Sequence, residues 1–298
     1  MLPPVDQSPE GHVEPAVGAR AAASKRRWTR AELIAIVAIT LLAAVIRMVH
    51  LSDPKEFAFD EVYYAKDACI YAHVDTKECG IAEESTYVHP PLGKSLIALG
   101  VAAFGFDSFG WRIVPVVFGT LSVALLFLIA RKIFRSLVAA CAAALLLSLD
   151  LMHFVQSRVA MLDIFTTFFT MLAFFCLLVD REHMERRRGS NDPSTRRMAR
   201  PWRAAAGIAA GAATACKWEG AFALVAIIVL TFVWERAARR EDDEHEAFGR
   251  TFTEETPSIV LYLMILPVVT YAATYIGHLQ GDVLALPWAQ GSWVRNLV

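Results

Sequence analysis

The stretch EFAFDEVYYAKDA sets two adjacent carboxylates, Asp60 and Glu61, among aromatic residues just after an apolar run over residues 31–50. A carboxylate beside a hydroxyl can take its proton as that oxygen attacks a neighbouring centre. Three other stretches add complementary groups. STYVHPPLGKSLIALG carries His89 and Lys94, HFVQSRVAMLDIF carries Arg158 and Asp163, and TACKWEG carries Lys217 and Glu219. Arg112 opens the next apolar block. Cations gathered in this way hold a phosphate and stabilise its charge as it leaves. Asp60 and Glu61 are candidate catalytic residues; His89, Lys94, Arg112, Arg158, Asp163 and Lys217 are candidates for binding a phosphate-bearing substrate.

Each stretch also has a plainer reading. Two acids complement the dipole of a helix that starts there. Pro90 and Pro91 force His89 to be extended and start a helix. Lys94 in its first turns opposes the dipole, and a cation at a helix N-terminus invites an anion. Arg158 can snorkel beside Asp163. Lys217 and Glu219 can pair across a turn, with Trp218 as an interfacial anchor.

Apolar blocks must position these groups. The 298 residues are 56% hydrophobic and only 20% charged, with a net charge of −1 and a mean hydropathy of +0.42. The apolar residues come in unbroken runs, and the charges are segregated by loop, with no basic face for nucleic acid. A helical crossing needs about 20 residues. Candidate spans cover 31–50, 111–133, 137–156, 159–179, 204–218, 220–234 and 258–276. The expected fold is all-α: a polytopic membrane helix bundle of about seven spans, its first loop carrying surface helices. In the two shortest spans, Gly207, Gly211 and Gly220 point to close packing inside the bundle. A single tilted span over 204–234 is the alternative. It would put Lys217 in mid-membrane.

Lys25, Arg26, Arg27 and Arg30, the 131–135 connection, the 181–203 connection and ERAARR fall on one side, which the positive-inside rule makes cytoplasmic. The acidic loop 52–110, with Asp60 and Glu61, then faces outward in a cell-membrane protein with a cytoplasmic N-terminus. Residues 1–30 read as a disordered tail, and no small-residue cleavage site follows the first span. The catalytic module would be 31–298. Cys69 and Cys79 lie in the outer loop, where a bridge and two free thiols are both compatible with the sequence. The other three cysteines sit in apolar runs as packing residues.

At FDEVYYAKDA, HPPLGK, SRVAMLD and CKWEG the chain resembles the protein O-mannosyltransferase family of the membrane-embedded C-type glycosyltransferases, throughout about residues 31–298. Arginine-rich loops and alanine-rich spans suggest an actinobacterial member, and no β-trefoil insertion is present. The resemblance implies inverting transfer of mannose from polyprenyl phosphate mannose to Ser or Thr of secreted proteins, with the translocon as a place of encounter. It implies Asp60 as base, and Glu61 would orient the acceptor or tune Asp60. Family members continue with further spans, so a chain ending at GSWVRNLV is expected to be a truncated product. No metal is required by this chemistry, and the outer loops lack tight His/Cys spacing; a metal bridging carboxylate and phosphate remains the alternative. The rivals are a lipid-sugar transferase acting on a glycolipid or polysaccharide and a transporter. Transporters place charges near the midplane within inverted repeats, and neither feature is visible here.

Overall fold

A computed structural model describes residues 28–81, 88–188, 200–240 and 247–276. The tail, part of the 181–203 connection and the last 22 residues lie outside these. Among the described residues the chain is helical, with no strand. Five stretches are long and apolar enough to cross a bilayer: Arg30–Met48, Ser108–Phe134, Asp163–Arg186, Gly220–Arg240 and Phe248–Ala273.

Helix α1 (Arg30–Met48) begins with a capping box: Thr29 Oγ1 accepts from the Glu32 amide, and Glu32 accepts from the Thr29 amide at 2.9 Å. Next come α2 (Glu61–Tyr71), the single turn α3 (Thr76–Cys79) and α4 (Pro91–Phe104). They lie between the first two long apolar helices, where the sequence predicts a loop that carries helices. Helix α5 (Ser108–Phe134) starts on Asp107, whose Oδ1 accepts from the Gly110 amide at 2.8 Å, and it packs on α1, α4, α6 and α8.

The sequence predicts one helix over 137–156. The structure breaks it into α6 (Leu137–Leu149) and α7 (Leu151–Gln156), because the Asp150 side chain caps the His153 amide at 2.8 Å. An N-cap takes non-helical backbone, so one aspartate ends the first helix and starts the second.

Helix α8 (Asp163–Arg188) runs against α9 (Pro201–Cys216). The chain then turns at Lys217–Glu219 into α10 (Gly220–Arg240). Residues 204–234 are therefore two helices joined by a turn, and Lys217 lies at a helix end. The last helical stretch is α11 (Ala247–Ile259), a wider π-helical segment (Val260–Ile265) and α12 (Leu266–Ala273). Pro267 has no N–H for the preceding turn, and the ladder widens just before it. A Cβ on Gly207 would stand 1.8 Å from the Tyr262 carbonyl oxygen, and one on Gly211 2.7 Å from that of Pro267. Only glycine lets α9 lie this close to the final helix.

Candidate active site

Helix α2 begins with two carboxylates that meet opposite fates. Glu61 is fully buried. Its Oε1 accepts from Arg112 Nε at 2.8 Å and from the Ala160 amide at 2.9 Å. Its Oε2 accepts from an Arg112 terminal nitrogen at 2.7 Å and from the Ala58 amide at 2.8 Å. Arg112 also donates to the carbonyls of Leu51 (3.2 Å), Pro54 (2.7 Å) and Glu56 (3.1 Å). A guanidinium has five N–H donors, and these five bonds use them all. The pair thus fastens α2, α5, the 51–56 loop and the 158–162 loop to one another.

Asp60 is only half-buried. It occupies the N-cap position of α2 yet makes no side-chain cap bond, although an aspartate there ordinarily accepts from the second or third amide of the helix. Among the described residues no hydrogen bond or ion pair engages its carboxylate. Phe59, just before it, takes a left-handed backbone (φ 54°) and is exposed.

Lys94 and Asp67 are both fully buried, with Lys94 Nζ 3.4 Å from Asp67 Oδ2 and 5.8 Å from the Tyr71 ring centre. The anion invited by a lysine near the start of α4 is supplied from within, by α2. Lys217 closes α9; its Nζ lies 2.9 Å from Asp163 Oδ1 and 3.6 Å from Glu219 Oε1. Burial alone would lower its pKa, but its bonds and charge pairing with these carboxylates raise it.

Arg158 differs from the other three predicted cations. One terminal nitrogen donates to the carbonyls of Val49 (2.7 Å) and His50 (2.9 Å), and the guanidinium lies 5.2 Å from the Phe154 ring centre. Its Nε is buried without a partner, and among the described residues no carboxylate pairs with it.

His89 packs edge-on against Tyr64, ring centres 6.0 Å apart. Burial lowers its pKa, aided by the charge of Lys217. The Tyr64 phenol is pushed up to about 12 by burial and then by the negative charges of Asp60, Asp163, Glu219 and Asp67. Asp60, Tyr64, His89, Asp163, Lys217 and Glu219 therefore form one electrostatic neighbourhood. Cys69 and Cys79 are joined in a disulfide that ties α2 to α3. Among the described residues no three His, Cys, Asp or Glu side chains could hold a metal ion.

Sequence reasoning missed Tyr64, Asp67 and Arg47. Tyr64 lies one helical turn after Asp60, a spacing that the sequence displays. Arg47 sits in the first apolar run and is fully buried. It donates to Ser157 Oγ (2.9 Å) and the Ala43 carbonyl (3.1 Å), and lies 3.1 Å from His153 Nδ1.

The chain's likeness to known proteins fits this arrangement. A polyprenol-phosphate-mannose–protein mannosyltransferase of Mycolicibacterium smegmatis is 34% identical over 252 residues, 80% of this chain and 48% of the relative. That of Mycobacterium tuberculosis is 35% identical over the same shares. Protein O-mannosyl-transferase 1 of Danio rerio is 26% identical, over 83% of this chain and 34% of the relative. The chain thus spans about half the length of its bacterial relatives. The S. cerevisiae protein O-mannosyltransferase Pmt1-Pmt2 complex bound to the sugar donor has the same fold, with a TM-score of 0.65 and 23% identity, over 86% of this chain and 34% of that chain. The profile of one family, dolichyl-phosphate-mannose-protein mannosyltransferase, matches residues 37–111 and 105–281, and the chain belongs to that family.

Proposed function

We propose that this protein transfers mannose from polyprenyl phosphate mannose to Ser or Thr hydroxyls of secreted or membrane proteins, with inversion at C1. The observation that carries the reading is the unpaired carboxylate of Asp60, held at a helix start where every neighbouring charge on Glu61, Lys94 and Arg112 is engaged. In the reaction the acceptor O–H gives its proton to Asp60, and its oxygen forms a bond to C1. The bond from C1 to the phosphate oxygen breaks, and the electron pair leaves with the phosphate. Arg158 has no carboxylate of its own among the described residues and is the cation for that phosphate. Glu61, Lys94 and Arg112 are positioning residues: their charges are spent on holding α2, α4 and α5 together. The mycobacterial relatives carry this activity in their names, and their use of a polyprenol-linked donor supports the donor proposed here.

The basic connections support a cytoplasmic N-terminus and a site on the outer face. Acceptors would then be met as they emerge from the membrane, at the translocon. Asp60→Asn tests the reading directly. It should lower mannosyl transfer to a Ser/Thr peptide by about 10²- to 10⁴-fold, with the amount of folded protein in membranes unchanged. Near-normal transfer would remove Asp60 from the role of base.

A further inference from the structure

Tyr64 is 5% exposed, and its ring belongs to the apolar cluster formed with Ala65, Ile97, Trp111 and Leu162. Its hydroxyl has no hydrogen-bond partner among the described residues. The cluster holds the ring, while the hydroxyl oxygen itself is in contact with solvent, so a rigidly placed donor is free to meet a ligand. The surroundings indicate which kind. Asp60, Asp163, Glu219 and Asp67 act on Tyr64 as negative charges; Lys217 pairs with Asp163 and Glu219, and Lys94 pairs with Asp67. Four negative charges against two positive charges repel a phosphate. A neutral polyhydroxyl meets no such repulsion. Its hydroxyls find carboxylate acceptors in Asp163 and Glu219, and one of its oxygens needs a neutral donor.

We infer that the Tyr64 hydroxyl donates a hydrogen bond to a hydroxyl oxygen of the transferred sugar and so fixes its C1 against Asp60, with the donor's phosphate lying apart, toward Arg158. This rests on the mannosyl-transfer reading of the same site. Tyr64 lies on the first turn of the helix that Asp60 caps, its amide donating to the Asp60 carbonyl at 3.1 Å, so base and sugar contact are built on one rigid element. Burial and the adjacent carboxylates keep the phenol protonated throughout the physiological range, a donor and never a competing base.

Tyr64→Phe removes the O–H and leaves the ring. With membranes containing the protein, kcat/KM would be measured for polyprenyl phosphate mannose and for donors whose mannose lacks the 2-, 3-, 4- or 6-hydroxyl. Losing one neutral hydrogen bond corresponds to about a 2- to 12-fold drop. The expected result is that drop with mannose, and no drop with the one deoxy donor that lacks the partner hydroxyl. Inhibition by sugar-free polyprenyl phosphate should be the same for both proteins. An equal penalty with all four deoxy donors, no penalty with mannose, or weaker inhibition by polyprenyl phosphate would each overturn the inference. Displacement of bound donor reads the same comparison without turnover, so a protein that fails to transfer mannose still tests Tyr64, and wild-type protein that binds none of these donors also overturns it. Loss of transfer in wild type alone counts against the function, not against this contact.

Discussion

Helices α8, α9 and α10 carry charges at both ends, and the two ends are wired differently. Asp163 and Asp180 stand seventeen helical steps apart in α8, about 26 Å of helix, close to the thickness of a bilayer's hydrocarbon. At the Asp180 end, Arg200 donates to Asp180 at 2.9 Å and also reaches Glu235. Arg203 holds Glu255 at 2.7 Å and Glu235 at 2.9 Å, and Arg239 holds Glu255 at 2.7 Å. Three guanidiniums thus meet Asp180, Glu235 and Glu255, nearly all out of contact with solvent. Arg239 also reaches the half-buried Glu254 at 3.4 Å, which Arg250 approaches in turn. At the Asp163 end the balance is left open. Among the described residues Asp60 has no partner, Arg158 has only carbonyls, and the Tyr64 donor is unused. Matched charge knits helices together; unmatched charge, held in place by matched pairs such as Glu61–Arg112, is available to a substrate.

The distinction is most exposed to failure at the matched end. Replacing one member of a buried network leaves an uncompensated charge and costs about 3–5 kcal/mol. Arg203→Met should therefore lower the melting temperature sharply and deplete folded protein in membranes, while transfer per folded molecule stays near wild type. An unchanged melting temperature would show that the network is not structural. A loss of transfer in fully folded protein would erase the contrast between the ends.

At the open end the expected effect is smaller and falls on substrate instead of fold. Arg158→Ala removes a charged hydrogen-bond donor, typically worth about 1.5–3 kcal/mol. The KM for polyprenyl phosphate mannose should rise by about 10- to 150-fold, with the peptide KM and the melting temperature little changed. Arg158→Lys should recover part of the loss. A defect confined to the peptide would take the phosphate away from Arg158.

The same contrast explains what could be read from sequence. Long apolar runs announced the bundle, and glycines announced the tight approach of α9 to its neighbour. The break at Asp150 was hidden, since a single aspartate in an apolar run marks an interruption without saying that it caps a new helix. The gathering of the motifs was legible too, but not which charges are already engaged. Glu61 and Arg112 are 51 residues apart, Asp67 and Lys94 are 27 apart, and such pairings exist only once the helices pack. Consecutive helical residues face different directions, so the neighbours Asp60 and Glu61 could not be told apart by position in the chain. Tyr64 looked like one more aromatic, because its unused donor is visible only in the folded molecule.

The smallest effect separates the two ends by pH. His89 is half-buried beside Tyr64, and burial with the nearby Lys217 charge holds its pKa below the ordinary 6.5. A histidine whose folded pKa is lowered binds fewer protons folded than unfolded in the interval between the two values. Stability contributed by neutral His89 is therefore full above about pH 6.5 and declines as the solution is acidified below that point. The loss continues until the pH passes the lowered folded value, where both states carry the proton. His89→Gln keeps a polar side chain of similar size but cannot titrate. Melting temperatures of the two proteins, compared at pH 7.5 and pH 5.5, should show a steeper acid-induced fall in wild type. When Arg203→Met is present in both proteins, the same difference should persist, because residues with no shared partners and well separated in space contribute independently. Parallel slopes with and without the histidine would mean that His89 is as free as a solvent-exposed imidazole. It would then no longer serve as a half-buried partner of the Tyr64 ring.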